Sequence, residues 1–128
     1  MSMSTDKFTA GTKIVIVEDD KFLGGLVSKK LVEDGCVVEH IERGELAKAA
    51  IDTVLPDLIF LDVLMPRMTG PQVLAEIGQQ RSGKVILISA FSGEHNMQTA
   101  LQMGADLFIP KPFDDIFAIV TVAEDLAK

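Results

Sequence analysis

In Lys13-Ile14-Val15-Ile16-Val17-Glu18-Asp19-Asp20, a short β-branched apolar run leads straight into three carboxylates. A run that is apolar without alternation suits a strand buried on both faces. Downstream, Phe22, Leu23, Leu26, Val27 and Leu31 recur at helical spacing, and Gly35 falls where a residue past a C-cap belongs. The alternation of strand-like and helix-like segments then continues. Val37 to Ile41 reads as a second strand, and Glu45 to Val54 as a helix that must stop before Pro56. Leu58-Ile59-Phe60-Leu61 is a third strand ending at Asp62, followed by the loop Met65-Pro66-Arg67-Met68-Thr69-Gly70 and a helix with Pro71 in its first turn. Val85-Ile86-Leu87-Ile88 is a fourth strand ending at Ser89, and a polar helix from about Glu94 to Gln102 stops at Gly104. Leu107-Phe108-Ile109 is a last short strand, and a closing helix carries Ile116, Phe117, Ile119, Val120 and Val122.

Five strand–helix units predict an α/β fold: a doubly wound five-stranded parallel sheet with helices on both faces. The 128 residues suit one domain, read as a loose tail over residues 1–12 and a folded unit over 13–128. An apolar fraction of 48% and mean hydropathy of +0.30 supply a real core. The single cysteine, Cys36, excludes a disulfide framework and reads as a small buried hydrophobe in a reducing cytoplasm. A net charge of −7 argues against direct contact with nucleic acid or an anionic membrane, because phosphate binding needs a basic footprint. The polar start Met1-Ser2-Met3-Ser4-Thr5-Asp6-Lys7 lacks the apolar run of a secretory signal, so a cytoplasmic location is expected.

In a parallel sheet the carboxyl ends of all strands share one edge, where ligands bind. That edge collects Glu18, Asp19 and Asp20 from the first strand, Asp62 from the third, Ser89 from the fourth and Lys111 after the fifth. Crowded carboxylates repel unless a cation joins them. Oxygen donors without His or Cys prefer a hard ion, Mg²⁺ or alternatively Mn²⁺. A carboxylate can accept a phosphoryl group as an acyl phosphate. Asp62 stands alone at the tip of the most apolar strand and is the candidate acceptor; Glu18 and Asp19 are the candidate metal-holding pair. Lys111 offers a point charge and Ser89 a hydroxyl donor to phosphate oxygens. Asp20 reads as the N-cap of the first helix. His40 and His95 have no partner at metal-ligand spacing and read as packed or solvated side chains.

Val17-Glu18-Asp19-Asp20, Leu61-Asp62-x-x-Met65-Pro66-x-Met68-x-Gly70, Ile88-Ser89-Ala90 and Lys111-Pro112-Phe113, in this order, resemble the response-regulator receiver domains of two-component signalling. The resemblance runs from Lys13 to the last helix. It implies a flavodoxin-like sheet of order 2-1-3-4-5. It also implies that Asp62 takes phosphate from a sensor histidine kinase or phosphotransfer protein. In the same pattern Asp19 ligates Mg²⁺ together with Asp62, Glu18 acts through metal-bound water, and the backbone carbonyl of Leu64 is a further ligand. Ser89, the amide of Ala90 and Lys111 would hold the phosphate; Ser89 and Phe108 would form the switch; the Lys111-Pro112 peptide would be cis. The resemblance implies a signalling domain rather than an ordinary enzyme, with assisted self-phosphorylation and self-dephosphorylation. Its output would be a change in the surface of the fourth helix, fifth strand and fifth helix, read by a downstream protein, a fused output domain or a second copy.

Two positions leave the commonest family pattern. Leu64 and Phe91, each two residues past a site residue, are apolar and cannot orient the water that hydrolyses an acyl phosphate, so slow dephosphorylation is expected. Competing classes fit less well. A haloacid-dehalogenase-type phosphotransferase would place a second aspartate where Leu64 stands, and no glycine-rich nucleotide loop is present. The remaining alternative is a receiver-like interaction scaffold that is never phosphorylated.

Overall fold

The computed structural model describes residues 10–78, 83–89, 97–110 and 116–127. Five strands, β1 (Lys13–Val17), β2 (Val37–Ile41), β3 (Leu58–Asp62), β4 (Lys84–Ser89) and β5 (Leu107–Pro110), form one sheet. All neighbours pair in parallel, in the order β2-β1-β3-β4-β5. Helices α1 (Lys21–Glu33), α2 (Ala47–Val54), α3 (Gly70–Ile77), α4 (Met97–Gln102) and α5 (Ile116–Ala127) alternate with them. This is the expected flavodoxin-like arrangement. No described helix is long and apolar enough to cross a membrane.

The two-residue period of the strands divides the core into two clusters. Val15, Val17, Ile59, Leu61, Val85 and Leu87 gather with Ala47 and Ile51 of α2 and Val73 and Leu74 of α3. Ile14, Ile16, Leu58, Phe60, Ile86 and Ile88 gather with Val27 and Leu31 of α1 and Ala123 of α5. Every residue of β3 is buried. Its place at the middle of the sheet, covered on both faces, explains why its sequence shows no alternation.

Local chemistry closes the elements where the sequence indicates, with refinements. The Asp20 carboxylate accepts the amides of Phe22 and Leu23 at 3.0 and 3.1 Å and caps α1. Gly35 follows the last turn of α1 with φ of +95°, which a Cβ would resist. The second helix begins as a 3-10 turn over Gly44–Leu46 before α2, and ends with Leu55 in the left-handed region. Thr69 and Gln72 form a reciprocal capping box at the start of α3. Gly11 N–H donates to the Gly35 carbonyl and Val37 N–H to that of Thr12.

Candidate functional site

The carboxyl ends of β1 and β3 lie side by side, since Val17 pairs with Leu61 in the ladder. Continuing each strand by one residue brings Glu18 next to Asp62. One ligand oxygen each from Glu18, Asp19 and Asp62 lies within 4.8 Å of the others. Glu18 and Asp62 are buried and Asp19 is exposed, so the cluster is a shallow pit with one wall open to solvent. Among the described residues it is the one group of His, Cys, Asp or Glu side chains with this geometry. Asp20, the third acid of the stretch, caps α1 instead. Its own amide donates to Glu18 Oε2 at 3.1 Å, which turns the chain from strand to helix at the pit.

Three oxygen donors so close repel one another, and a hard divalent cation removes that repulsion while accepting their oxygens. The donor set therefore fits Mg²⁺ and offers nothing to a soft metal.

The floor and walls come from β4, β5 and the β3–α3 loop. Asp62 pairs with Ile88 across the ladder, so Ser89, fully buried, is one residue further along the adjacent strand. Phe108 pairs with Leu87 and packs in the core cluster of α2 and α3, with Ala100 and Ala105 beside it. The aromatic is thus on the strand next to Ser89 and is itself buried. Leu64 is half-exposed, two residues past Asp62, and carries no polar group toward solvent there. Ala90, Phe91, Lys111 and the Lys111-Pro112 peptide lie outside the described residues, as does His95.

The loop after Asp62 is held tightly. Val63 N–H donates to the Ile88 carbonyl at 2.8 Å, and Gly70 N–H returns to the Val63 carbonyl at 2.9 Å. Between them Met68 N–H donates to the Pro66 carbonyl across Arg67, whose φ is +71°. That is a three-residue turn of the strained kind. Met65 is buried, and Met68 packs against the same cluster. A Cβ on Gly70 would stand 2.4 Å from the Asp62 carbonyl oxygen, so α3 begins almost in contact with the backbone of the candidate acceptor. Sequence reasoning passed over this contact; Gly70 alone looks like a turn residue, and only the register of α3 on β3 gives it meaning. His40 is packed, as expected from its lack of metal-spaced partners, with its ring on α1 and Nε2 2.8 Å from the Glu18 carbonyl oxygen.

Residues 14–122 match the family model of the response regulator receiver domain. Over 103 residues, 80% of this chain and 44% of the relative, the sequence is 38% identical to transcriptional regulatory protein CpxR of Klebsiella pneumoniae. The signal receiver domain of NarL from Mycobacterium tuberculosis superposes with a TM-score of 0.81 at 30% identity, over 93% of this chain and 98% of that one. A chain of the CheX–CheY–BeF3–Mg²⁺ complex from Borrelia burgdorferi gives a TM-score of 0.83 at 25% identity, over 98% of this chain and all of that one. The chain spans about half the length of the curated relatives it matches.

Proposed function

The chain belongs to the response regulator receiver family, the phosphorylation-based signalling domains of two-component systems, and from that premise we propose that Asp62 is its phosphoryl acceptor. The observation that carries this reading is the convergence of Glu18, Asp19 and Asp62 within 4.8 Å at one sheet edge, with Asp62 on the central strand and Ser89 beside it. An Asp62 carboxylate oxygen forms the new bond to phosphorus while the bond from phosphorus to the imidazole nitrogen of a partner's phosphohistidine breaks. The chain mainly supplies position for that transfer. Asp19 and Asp62, the carbonyl of Leu64, and Glu18 through water would hold Mg²⁺, or Mn²⁺ in its place. The ion supplies neutralisation of the charge that builds on the phosphoryl oxygens.

Ser89, the Ala90 amide and Lys111 then hold the phosphate. Ser89 moves toward it, and Phe108 follows into the space vacated, which shifts the exposed surface of α4, β5 and α5. The preference of the phosphate for one arrangement limits the size of that shift. Upstream, the partner is a sensor histidine kinase or a phosphotransfer protein. Downstream, it is a separate protein or a fused output domain, with pairing of two copies through α4, β5 and α5 as one route, all in the cytoplasm. The chain acts as a switch that assists its own phosphorylation and hydrolysis rather than as an enzyme with a released product.

Incubation with a small-molecule phosphodonor and Mg²⁺, read by intact mass, tests this directly. The chain gains one phosphate, and Asp62→Asn gains none. An equally modified Asp62→Asn would move the acceptor elsewhere. No gain with the small donor or with phosphorylated histidine kinases would favour the unphosphorylated scaffold.

A further inference from the structure

Glu18 follows Val17, the last residue of β1. Its N–H still donates to the Ile41 carbonyl at 2.9 Å. Its own carbonyl oxygen lies 2.8 Å from His40 Nε2. A carbonyl oxygen only accepts, so the ring nitrogen is the donor. Both backbone polar groups of Glu18 are therefore fastened to consecutive residues of β2, while Oε2 takes the Asp20 amide. The ring is seated on α1. A Cβ on Gly24 would stand 2.2 Å from His40 Cε1 and Nε2 and 2.9 Å from Nδ1. Gly25, its neighbour, faces open space with nothing within 4 Å. A glycine inside a helix costs about 1 kcal/mol relative to alanine. At Gly24 that cost has a structural return, since only a residue without a side chain admits the imidazole.

We propose that His40, seated on Gly24, is a positioning residue for the divalent-cation site: it fixes the peptide of Glu18 and so the direction in which Glu18 and Asp19 present their carboxylates. This rests on the reading of Glu18, Asp19 and Asp62 as that site. Groups that orient ligands from behind set metal affinity by about 10- to 100-fold when they touch the ligand side chain. His40 acts one step back, through the backbone, and the expected loss is about five- to tenfold.

Mn²⁺ binding to the 128-residue chain, followed by the electron paramagnetic resonance of free Mn²⁺, reads this without any phosphorylation step. His40→Ala weakens Mn²⁺ about five- to tenfold at a temperature where thermal unfolding shows it folded. His40→Gln, which keeps an N–H donor on a comparable reach, recovers most of the affinity. Gln also fills nearly the volume of His, so His40→Leu, which fills it without a donor, is the control and recovers none of the affinity. Recovery there as complete as in His40→Gln would mean space filling alone and overturns the proposal. Gly24→Ala serves if His40→Ala does not fold: the added Cβ displaces the ring while raising helix propensity, and it weakens Mn²⁺ by a similar factor. The double variant binds no worse than His40→Ala, because the new methyl then meets no ring. Unchanged affinity in His40→Ala or Gly24→Ala, or no recovery in His40→Gln, overturns the proposal. Failure of the unsubstituted chain to bind Mn²⁺ is a different result. It removes the cation site itself, and the positioning role with it.

Discussion

Replacing Gly70 with alanine tests whether the tight β3–α3 junction sets the candidate acceptor. The new Cβ would meet the Asp62 carbonyl oxygen at 2.4 Å, the Val63 Cα at 2.9 Å and the Asp62 carbonyl carbon at 3.0 Å. All three are backbone atoms, so no rotamer change relieves the contact. The strand side cannot yield readily, because Asp62 is paired with Ile88 and Val63 N–H is bonded to the Ile88 carbonyl. The helix side is tied back by the Gly70 amide and the Thr69–Gln72 box. One side must move by roughly half an ångström or more in a close-packed interior. Overpacking of this kind costs about 1–3 kcal/mol, and the fixed backbone puts Gly70→Ala toward the upper end. Alanine returns up to about 1 kcal/mol of helix propensity. The net loss is then about 2 kcal/mol, which at about 4 °C per kcal/mol for a chain of this size lowers Tm by about 8 °C. If the strain is relieved at Asp62, phosphorylation by a small donor slows as well, since misplacement on the ångström scale costs up to about 100-fold. Calorimetry and a time course by intact mass read the two effects. A variant with Tm and phosphorylation rate both within error of the parent would refute the reasoning.

Leu55 closes α2 at φ 54° and ψ 61° with more than half of its surface exposed, so its side chain repays little of the left-handed strain. Leu55→Asn should raise stability by about 1 kcal/mol in urea unfolding, and a lower midpoint would contradict that. The Cys36 thiol is pushed up to about 11 by burial, with the Asp34 and Glu124 carboxylates adding to it. Folded chains thus keep the proton at pH values where unfolded chains have lost it. Stability falls as pH rises from about 9 toward 11, and Cys36→Ala removes that slope. At pH 8 alkylation of the folded chain is slow, and rapid labelling would show the thiol to be accessible. Leu64→Asn combined with Phe91→Glu should speed loss of the acyl phosphate several-fold, measured as the return of unmodified mass after the donor is removed.

The fold and most of the acidic pit were legible because a parallel sheet converts sequence order into proximity. Strand ends come to one edge whatever the details of the helices, so a carboxylate after Val17 and another after Leu61 had to meet once β1 and β3 paired. Contacts between elements that only register brings together were not legible. Gly70 against the Asp62 carbonyl and His40 on Gly24 each join two unremarkable residues, and neither member signals the other. The same holds for two acids far from the pit. Asp57 Oδ2 accepts the Lys13 amide and Asp106 Oδ2 the Val85 amide, each at 2.8 Å. By composition they belong with the surplus of negative charge; in the fold they satisfy amides at the starts of β1 and β4, at the edge opposite the site.

That division also bears on the cation site proposed at the pit. A net charge of −7 spread over the surface attracts Mg²⁺ only weakly at physiological salt, because separated charges are screened within about 8 Å. Binding at one place requires charge that is close-set and partly withdrawn from water. Glu18 and Asp62 meet that requirement because apolar strands carry them into the interior, β1 through Ile14 to Val17 and β3 through Leu58 to Leu61. The core that makes the sheet stable thus also holds the two buried carboxylates of the proposed site close together. Burial raises the cost of leaving its carboxylates without a counter-ion, and Asp19, left exposed, keeps the way in open.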